Sequence, residues 1–532
     1  MKPDSVEILD TTLRDGAQSE GISFSVNDKF KIADLLSSIG IGFIEAGNPG
    51  SNPKDREFFA DFNQKCTLKK CSRLVAFGST RRKGVLAGED EGIANLVAAN
   101  TDTVVIFGKV WDEEVRDNLR CTLKENLDML QDSIAYLRGL GKQVIFDAEH
   151  YFEAYHSNSK YTLSCLKAAQ DGGAATVVLC DTNGATMPEE ITSCVKEAVA
   201  SLNCKVGIHC HNDSGMAVAN TIAAVMAGAA HVQGTFNGIG ERCGNANLST
   251  LIPNLQLKYK IQCIPPEYMQ DITHVARAMA EIANITLTGH EPYIGVSAFS
   301  HKAGMHVDGV KKNPSTFEHV SPEMVGNSRR FLMSEISGRS ALIDVIRKYK
   351  PDVDKNAPEV TRILAKLKEM EHRGYHFEGA EASQELLVCK DLQLYTPFFS
   401  LEKMRIQGEL PWLGEFSASA FIKISVGEIS EVTASEGEGP VNAMDKALRK
   451  ALEVFYPELK MIRLTDYKVR VLDTQATASQ VRVLIESTDG ENIWSTIGVS
   501  TDILEASWIA LVDSLEYKLM KQKMSQAALN QP

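Results

Sequence analysis

Two histidines, His209 and His211, are separated by a single residue in the sequence Val206-Gly-Ile-His-Cys-His-Asn-Asp213. If residues 206–210 form a strand, the two-residue side-chain period points both imidazole rings to the same face. Two imidazoles on one face can bind a metal ion. An isolated His-x-His is more often structural, with one ring capping a turn and the other packed in a core. The interpretation therefore depends on the residues that accompany the pair.

An acidic residue distant in sequence could complete a ligand set. The segment Asp10-Thr-Thr-Leu-Arg-Asp-Gly16 directly follows an apolar stretch at 6–9 and contains Asp15. One carboxylate and two imidazoles suit Zn, Mn or Fe better than Ca or Mg, which usually take all-oxygen sets. Asn245 could add a carbonyl oxygen. Positions left open for water or substrate would make such a site catalytic.

Arg14 stands next to Asp15. At the end of a strand the backbone can turn both side chains toward one site, where a guanidinium stabilises an oxyanion or binds a carboxylate. The structural alternative is that Arg14 only pairs with a neighbouring carboxylate, such as Glu149 or Asp181.

His306 is the candidate proton-transfer group. It lies in His301-Lys-Ala-Gly-Met-His-Val-Asp308, and histidine can act as acid or base near neutral pH. Asp308 or Glu149 could orient it. The alternative is an ordinary solvated loop histidine.

The elements that would carry these residues alternate between short apolar strands and helices. Ser25-x-x-Asp28 resembles a capped helix start, and residues 123–137 show helical spacing. Eight such strands over about 250 residues are typical of a parallel (β/α)8 TIM barrel, an α/β fold. An open doubly wound sheet is the rival, but no Gly-x-Gly-x-x-Gly follows the first strand. The predicted strands are 6–9, 41–46, 73–77, 103–107, 143–146, 176–180, 206–210 and 231–236.

A barrel predicts that polar residues at the carboxyl ends of its strands converge on one mouth, where catalytic groups of this fold collect. The sequence has polar residues at most of these positions. They are Arg14 and Asp15, Glu45, Asp147 and Glu149, Asp181 and Thr182, and His209 and His211, with the segment Asn237-Gly-Ile-Gly-Glu-Arg-Cys-Gly-Asn245 after the eighth strand.

Three parts are predicted along the chain. The barrel occupies 1–285, helical linker subdomains occupy 286–390, and an α+β domain occupies 391–525, with strands at 421–426, 467–472 and 481–487 and helices at 440–454 and 503–519. The glycine-rich stretch 436–442 could bind an anion at the start of a helix, or could be an ordinary loop.

Composition limits the function classes. The 532 residues are 44% hydrophobic and carry a formal charge of −13, which argues against a general nucleic-acid or anionic-membrane surface. The 11 cysteines contain no Cys-x-x-Cys pair, which predicts reduced thiols rather than a disulfide framework. The sequence has neither a signal peptide nor an apolar run of about 20 residues. We therefore expect a soluble cytoplasmic protein.

Three motifs are similar to those of the DRE-TIM metallolyases, the family of 2-isopropylmalate, homocitrate and citramalate synthases. They are Leu13-Arg-Asp-Gly-Ala-Gln18, His209-Cys-His-Asn-Asp213 and Gly238-Ile-Gly-Glu-Arg-Cys-Gly-Asn245. The resemblance covers nearly the whole chain, and further segments are most similar to the citramalate synthase branch: Gly50-Ser-Asn-Pro-Lys-Asp55, Ala76-Phe-Gly-Ser-Thr80, Phe146-Asp-Ala-Glu-His150, Val325-Gly-Asn-Ser-Arg-Arg330 and Phe377-Glu-Gly-Ala-Glu-Ala-Ser383. Residues 494–508 resemble the family's C-terminal regulatory domain.

The resemblance implies an acyltransferase of isoleucine biosynthesis that condenses acetyl-CoA with an α-keto acid, pyruvate in the citramalate branch. It also implies one divalent metal ion (Zn, Mn or Mg), a homodimer, and an amino-acid effector, isoleucine. The residues it assigns are Arg14, Glu149 and His306 as catalytic, Arg14 and Thr182 as substrate-binding, and Asp15, His209, His211 and Asn245 as metal ligands.

Two departures leave the exact keto acid and effector open. Ala46-Gly-Asn-Pro-Gly50 stands where the branch more often has Gly-Gly-Trp-Pro-Gly, and Ala476 replaces a common glycine of the regulatory domain. The alternatives are a sister synthase that uses 2-oxoisovalerate, 2-oxoglutarate or oxaloacetate, a cleaving lyase similar to hydroxymethylglutaryl-CoA lyase, and an inert amino-acid-binding protein.

Overall fold

The computed structural model describes residues 2–65, 68–69, 71–302, 304–331, 338–354, 356–377, 379–408, 417–472, 479–490 and 492–529. Ala476 lies outside the described residues. The chain divides into two compact units, one formed by Met1–Phe299 with Glu318–Arg329, the other by Ser300–Phe317 with Arg330–Pro532.

The first unit contains a closed barrel of eight parallel strands in sequence order, with β1 paired to β8. The predicted TIM barrel is therefore confirmed. The strands were recognisable because parallel strands covered on both faces read as short apolar runs. Their bounds are β1 Glu7–Asp10, β2 Phe43–Glu45, β3 Arg73–Ser79, β4 Thr103–Lys109, β5 Gln143–Glu149, β6 Thr176–Asp181, β7 Lys205–Cys210 and β8 His231–Gly234.

Helices surround the barrel and cover its outer face. The first begins with the predicted capping box, in which the Ser25 side chain accepts from the Asp28 amide and the Asp28 carboxylate accepts from the Ser25 amide. The helices are α1 Val26–Ser38, α2 Pro53–Lys65, α3 Glu91–Ala98, α4 Asp112–Asp117, α5 Leu123–Gly139, α6 Tyr151–Asp171, α7 Pro188–Ser201, α8 Ala217–Ala227, α9 Leu248–Pro253 and α10 Ile272–Ile282.

The inside of the barrel changes character along its axis. Its middle is a buried apolar layer of Leu9, Phe43, Val75, Val105, Ile145, Val178 and Cys180. Two residues further along β2 and β5, at Glu45 and Asp147, the inward positions become acidic. His209 and Gln233 hold the corresponding inward positions of β7 and β8. The apolar layer thus forms the floor of a polar mouth.

The second unit begins with short elements. A two-residue parallel pair joins β9 (Ser300–His301) to β10 (Arg330–Phe331). Four helices lie before the larger sheets of this unit, and an apolar cluster around Leu342, Ile363 and Val388 holds three of them together. The helices are α11 Gly304–Lys312, α12 Gly338–Arg347, α13 Pro358–His372 and α14 Glu381–Asp391.

The remainder of the second unit is an α+β structure built twice on one plan, three antiparallel strands followed by a helix. Side chains from both copies share one buried core. The elements are β11 Ser400–Gly408, β12 Ala418–Val426, β13 Ile429–Gly437, α15 Pro440–Leu452, β14 Arg463–Val471, β15 Val481–Thr488, β16 Ile493–Ser500 and α16 Ile503–Leu529. The sequence analysis missed β11, β13 and β16. The predicted loop 436–442 is in part wrong, because Glu436 and Gly437 pair with β12.

A buried carboxylate joins three helical segments of the second unit. Glu385 of α14 is 5% exposed. It is paired with Lys348, which follows α12, and with Lys521 of α16 at 2.6 Å. The hydroxyls of Tyr349 and Tyr517 donate to it at 2.9 and 3.1 Å. Burial alone raises the pKa of Glu385, but the hydrogen bonds from Lys348 and Lys521 outweigh burial and lower it to about 2.

Glu385→Gln is expected to lower the melting temperature at pH 7, because about 1–3 kcal/mol of charge-assisted bonding is lost. A carboxylate whose folded pKa is depressed stabilises the protein above its unfolded pKa, and that stability is lost as pH falls toward the folded value of about 2. The difference between parent and variant should therefore narrow below pH ~4.5. The exposed Glu428→Gln in the β12–β13 turn is the control. Equal shifts for both variants would contradict the prediction.

None of the helices in the described residues is long and apolar enough to cross a membrane. The cysteines in that same part of the chain are free thiols.

Candidate active site at the mouth of the barrel

A cavity of about 240 Å³ opens at the carboxyl ends of the strands. Its floor is the apolar layer of the barrel, and its wall comes from the loops after the strands. The residues that line it are Arg14, Asp15, Gln18, Phe77, Phe107, Asp147, Glu149, Cys180, Thr182, His209, His211 and Glu241. Six of the eight site residues that the resemblance assigned are therefore neighbours here, although they lie in distant parts of the chain.

The two histidines face each other. His209 is the second-to-last residue of β7, and His211 follows the strand, where it forms an isolated antiparallel bridge with Asn245. Their Nε2 atoms are 3.3 Å apart. Burial, together with the neighbouring His209, lowers the pKa of His211 to about 3. His211 is therefore neutral at physiological pH, the form in which imidazole binds metals.

Asp15 and Asn245 approach the same point. The Asp15 Oδ2 atom is 3.6 Å from His209 Nε2, and the Asn245 amide lies 3.1 Å from that nitrogen. In this structure the Asn245 Nδ2 atom faces His209 Nε2. A half-turn of the amide would place the Asn245 Oδ1 atom at that position instead. Metal–ligand bonds of about 2.0–2.2 Å set neighbouring ligand atoms about 3.0–3.6 Å apart. The spacing around His209 therefore fits ligands of one ion.

The arrangement is not a ready-made metal site. In the described residues, no three His, Cys, Asp or Glu side chains form a complete ligand group. Asp15 is instead ion-paired with Arg14 and accepts from the Thr11 hydroxyl at 3.1 Å. Two buried polar atoms close to this point, His211 Nδ1 and Asn245 Oδ1, have no hydrogen-bond partner in the structure. The donor set fits a divalent cation, provided that Asp15 exchanges part of its pairing for the ion.

Arg14 is held by acids and by an aromatic ring. Its Nε donates to Glu45 at 2.7 Å, and a terminal nitrogen pairs with Asp15. The guanidinium carbon lies 3.8 Å from the centre of the Phe77 ring. Burial would lower the pKa of Arg14, but the carboxylates of Asp15 and Glu45 outweigh it and raise the pKa. These partners replace Glu149 and Asp181, the pairing that the sequence suggested.

Asp147 is a buried acid of the mouth. It is 4% exposed, and burial with the nearby Glu45 raises its pKa well above the usual range of a carboxyl group. The pKa of Asp15 shifts in the opposite direction. Burial alone would raise it, but Arg14 and the two histidines outweigh burial and lower it. The pKa of Asp15, next to Arg14, is therefore shifted downward, whereas the pKa of Asp147 is shifted upward.

Glu149 and Thr182 line the opposite wall of the cavity. Lys109 bridges Glu149 at 2.6 Å and Glu114 at 2.9 Å. The Thr182 hydroxyl oxygen accepts from the His150 amide at 2.9 Å. That bond leaves the hydroxyl hydrogen of Thr182 able to donate to an anionic ligand.

The loop after β8 is closely packed around Asn245. A side chain at Gly240 would overlap the Asn245 side chain, and one at Gly244, whose φ is +85°, would overlap the carbonyl of Gly238. Arg242 ties this loop to its neighbours by donating to Asp213 at 2.8 Å and to the Thr182 carbonyl at 2.8 Å.

His306 belongs to the second unit. It lies in α11, where its ring stacks on Phe317 with a centroid separation of 4.3 Å. Asp308, a candidate partner, is ion-paired with Lys312 at 2.7 Å. The role of His306 in proton transfer stays a prediction.

The sequence analysis missed several residues of the site. Gln233, Phe77 and Phe107 sit at inward positions that a period of two would have marked once the strands were known. Lys109 ends β4, two residues beyond the predicted strand 103–107.

Comparisons with known proteins cover nearly the whole length of the chain. The HMGL-like family matches residues 5–279. The homocitrate synthase post-HMGL domain-like family matches residues 293–375, and the LeuA allosteric (dimerisation) domain matches residues 378–519.

Individual relatives also match from end to end. The (R)-citramalate synthase of Aquifex aeolicus (strain VF5) is 49% identical over 530 residues, which is 98% of this chain and 99% of that protein. That of Geobacter sulfurreducens is 48% identical over 97% of this chain and 98% of its own length. A probable 2-isopropylmalate synthase of Methanopyrus kandleri is 30% identical over 96% and 97% of the two chains.

Proposed function

The chain belongs to the HMGL-like family, and on that premise we propose that it condenses acetyl-CoA with pyruvate to give (R)-citramalate and coenzyme A. The observation that carries this function is its end-to-end similarity, at 43–49% identity, to proteins named (R)-citramalate synthase. The similarity to a probable 2-isopropylmalate synthase, at 30%, is much lower. Citramalate itself supports the reaction, because its carbon skeleton is that of pyruvate extended by one acetyl unit.

The family uses a divalent metal ion, and the proposed ligands here are Asp15, His209, His211 and Asn245. Zn or Mn suits this mixed set of oxygen and nitrogen donors, and Mg is the remaining candidate. When bound, the ion supplies Lewis acidity to the keto group of pyruvate. Neutral His211 needs no deprotonation before it binds.

Arg14 and Thr182 are proposed to bind pyruvate. Arg14 has five N–H donors, and the groups not used by Asp15 and Glu45 can bind a carboxylate or the oxyanion that develops on the keto oxygen. Thr182 can donate its hydroxyl hydrogen to the pyruvate carboxylate. Phe77 fixes the plane of the Arg14 guanidinium from below.

The condensation requires removal of one proton from the methyl group of acetyl-CoA. His306 is the proposed base, and Glu149, which is ion-paired with Lys109, is proposed to support catalysis. The resulting enolate carbon forms a bond to the keto carbon of pyruvate, whose oxygen becomes an alkoxide and then takes a proton. Water next hydrolyses the thioester, which releases coenzyme A as a thiol and leaves a second carboxylate.

The cavity also sets the size of the keto acid. The rings of Phe77 and Phe107 stack at 5.5 Å with an interplanar angle of 12° and form its apolar wall.

Phe107→Ala is expected to shift selectivity from pyruvate toward 2-oxobutanoate. Each methylene accommodated in an apolar pocket is worth about 1–3 kcal/mol, so the ratio of kcat/KM values should change by ~10–100-fold. Steady-state kinetics with both acids measure it. Phe146→Leu, which changes an aromatic residue on the outer side of β5, is the control. An unchanged ratio in Phe107→Ala would remove this ring from substrate selection.

The second unit is proposed to regulate the first. Residues 378–519 match an allosteric dimerisation domain, and we propose a homodimer that binds isoleucine as feedback effector, in the cytoplasm. The proposed division is a catalytic barrel at 1–285, linker subdomains at 286–390 and a regulatory domain at 391–525.

The function is tested by following thiol release from acetyl-CoA with pyruvate, 2-oxoisovalerate, 2-oxoglutarate and oxaloacetate, each with and without chelator and isoleucine. We expect thiol release with pyruvate and with none of the other three keto acids. Faster release with another acid would assign a sister synthase instead. Cleavage of an added hydroxyacyl-CoA without condensation would assign a lyase, and no turnover at all would leave an amino-acid-binding protein.

A further inference from the structure

Gln233 is a fully buried amide in the barrel interior next to a proposed metal ligand. It is the direct register partner of His209 across the β7–β8 pair. Its Oε1 atom lies 2.9 Å from His209 Nδ1, and its side chain is inaccessible to solvent. A buried amide costs free energy unless its polar atoms are bonded. An apolar side chain, like those that fill the layer below, would serve packing better.

The orientation of this amide is set from its other end. The Gln233 Nε2 donates to Asp147 Oδ1 at 2.8 Å, which leaves Oε1 on the side of His209. If Asp147 carries a proton, it can reside on Oδ2 and leave Oδ1 as the acceptor. An amide without such an anchor could rotate and present its NH2 group to the histidine instead.

The orientation decides which nitrogen of His209 carries the proton. An amide oxygen only accepts, so Nδ1 must carry the hydrogen in that bond, and in neutral imidazole Nε2 then keeps its lone pair. His209 Nε2 is the atom that faces His211, Asp15 and Asn245. A metal ligand needs that lone pair free.

We propose that Gln233, oriented by Asp147, is a positioning residue that fixes His209 in its Nδ1–H tautomer and so aims the Nε2 lone pair at the metal site. The proposal rests on the metal centre of the proposed function. The amide acts through His209 and touches neither substrate nor ion. Partners of this kind are worth about 10–100-fold in metal affinity.

Two variants separate positioning from packing. Gln233→Met keeps the length of the side chain but removes the strong acceptor, whereas Gln233→Glu keeps an acceptor for His209 Nδ1. The control for destabilisation is Asn220→Leu on α8, which deletes a buried amide that donates to the Thr186 carbonyl at 2.7 Å, away from the ligands. Thermal melting of the full chain ranks the stability of all three.

The first measurement is the tautomer of His209 in the chelator-treated, 15N-histidine-labelled full chain. One-bond and long-range 1H–15N spectra distinguish a protonated ring nitrogen from a bare one, and a His209→Gln sample identifies its signals among the 12 histidines. The parent and Gln233→Glu are expected to show Nδ1–H. Gln233→Met is expected to lose that preference. A parent protein with the hydrogen on Nε2 would overturn the proposal.

The second measurement is Zn²⁺ affinity by competition with a chromophoric chelator. Gln233→Met should bind ~10–100-fold more weakly, with Gln233→Glu and Asn220→Leu close to the parent. The proposal would be refuted if Gln233→Met bound Zn²⁺ as tightly as the parent. It would also be refuted if Asn220→Leu reduced Zn²⁺ affinity as much as Gln233→Met does. If the parent bound no divalent ion, the proposed metal centre would fail. The tautomer, measured without metal, would still decide the role of Gln233.

Discussion

A His211→Ala variant of the full chain is expected to lose divalent-metal binding and at least about 1,000-fold of kcat/KM. His211 Nε2 stands 3.3 Å from His209 Nε2 at the point where the Asn245 amide and the Asp15 carboxylate also arrive. Removing one ligand from a set of four leaves the ion without a fixed place, and the keto group then loses its polarisation. Metal content and thiol-release kinetics measure the two losses together.

The matched control is His274→Ala, because His274 is an exposed histidine of α10 in the same unit. It should bind metal and turn over like the parent. Chelator-treated parent protein should recover activity on addition of Zn²⁺ or Mn²⁺, whereas His211→Ala should not. Full activity of the parent after exhaustive chelation would exclude a metal-dependent reaction.

The second large effect is expected for Arg14→Lys, with kcat reduced by ~100–1,000-fold. Lysine retains the positive charge but lacks the planar fork that reaches Glu45 and Asp15 while lying on the Phe77 ring. The hydrogen bonds that follow the developing oxyanion would lose their direction. If Arg14 also binds the pyruvate carboxylate, KM for pyruvate rises as well, while KM for acetyl-CoA stays near the parent value.

Arg116→Lys provides the comparison. Arg116 is exposed on α4, where it pairs with Asp112, and the same exchange there should leave both kinetic constants unchanged. A loss confined to stability in Arg14→Lys, with kcat retained, would reduce Arg14 to a structural partner of the two acids.

The barrel strands could be predicted closely because each strand is marked by a sequence pattern within its own few residues. Each strand is buried on both faces, so its apolar run is short, continuous and bounded by polar residues, as for 176–180 against Thr176–Asp181. Asp181 and Lys109 extend their strands beyond the apolar run, because the barrel mouth accommodates polar side chains.

The second unit was harder, since its strands have one open face. β11 reads Ser-Leu-Glu-Lys-Met-Arg-Ile-Gln-Gly and is largely exposed, and β13 is similarly polar. Charged residues interrupt the alternation of apolar and polar side chains in such strands. The pairing of these strands also depends on partners distant in sequence. Propensity alone could not separate them from loops.

The candidate ligands could be proposed from the sequence, but the residues that support them could not. The spacing of His209 and His211 predicts that both side chains lie on one face of a strand, and Asp15 follows the end of another strand. The link from Asp147 through Gln233 to His209 joins strands that are almost ninety residues apart in sequence, and only the closed barrel brings them together. A single sequence holds no trace of such a long-range contact.

Two glycines in the loop after β8, Gly240 and Gly244, are too closely packed to be substituted. This part of the mouth therefore tolerates fewer substitutions than the rest. Any side chain at Gly240 or Gly244 would displace the Asn245 amide or the backbone beside it. In a library of random substitutions these two positions should recover glycine almost exclusively, whereas Phe77 and Phe107 on the opposite wall should accept several apolar residues. Divergence toward new acceptor acids would then proceed through changes in the aromatic wall, while the loop around Asn245 stays unchanged.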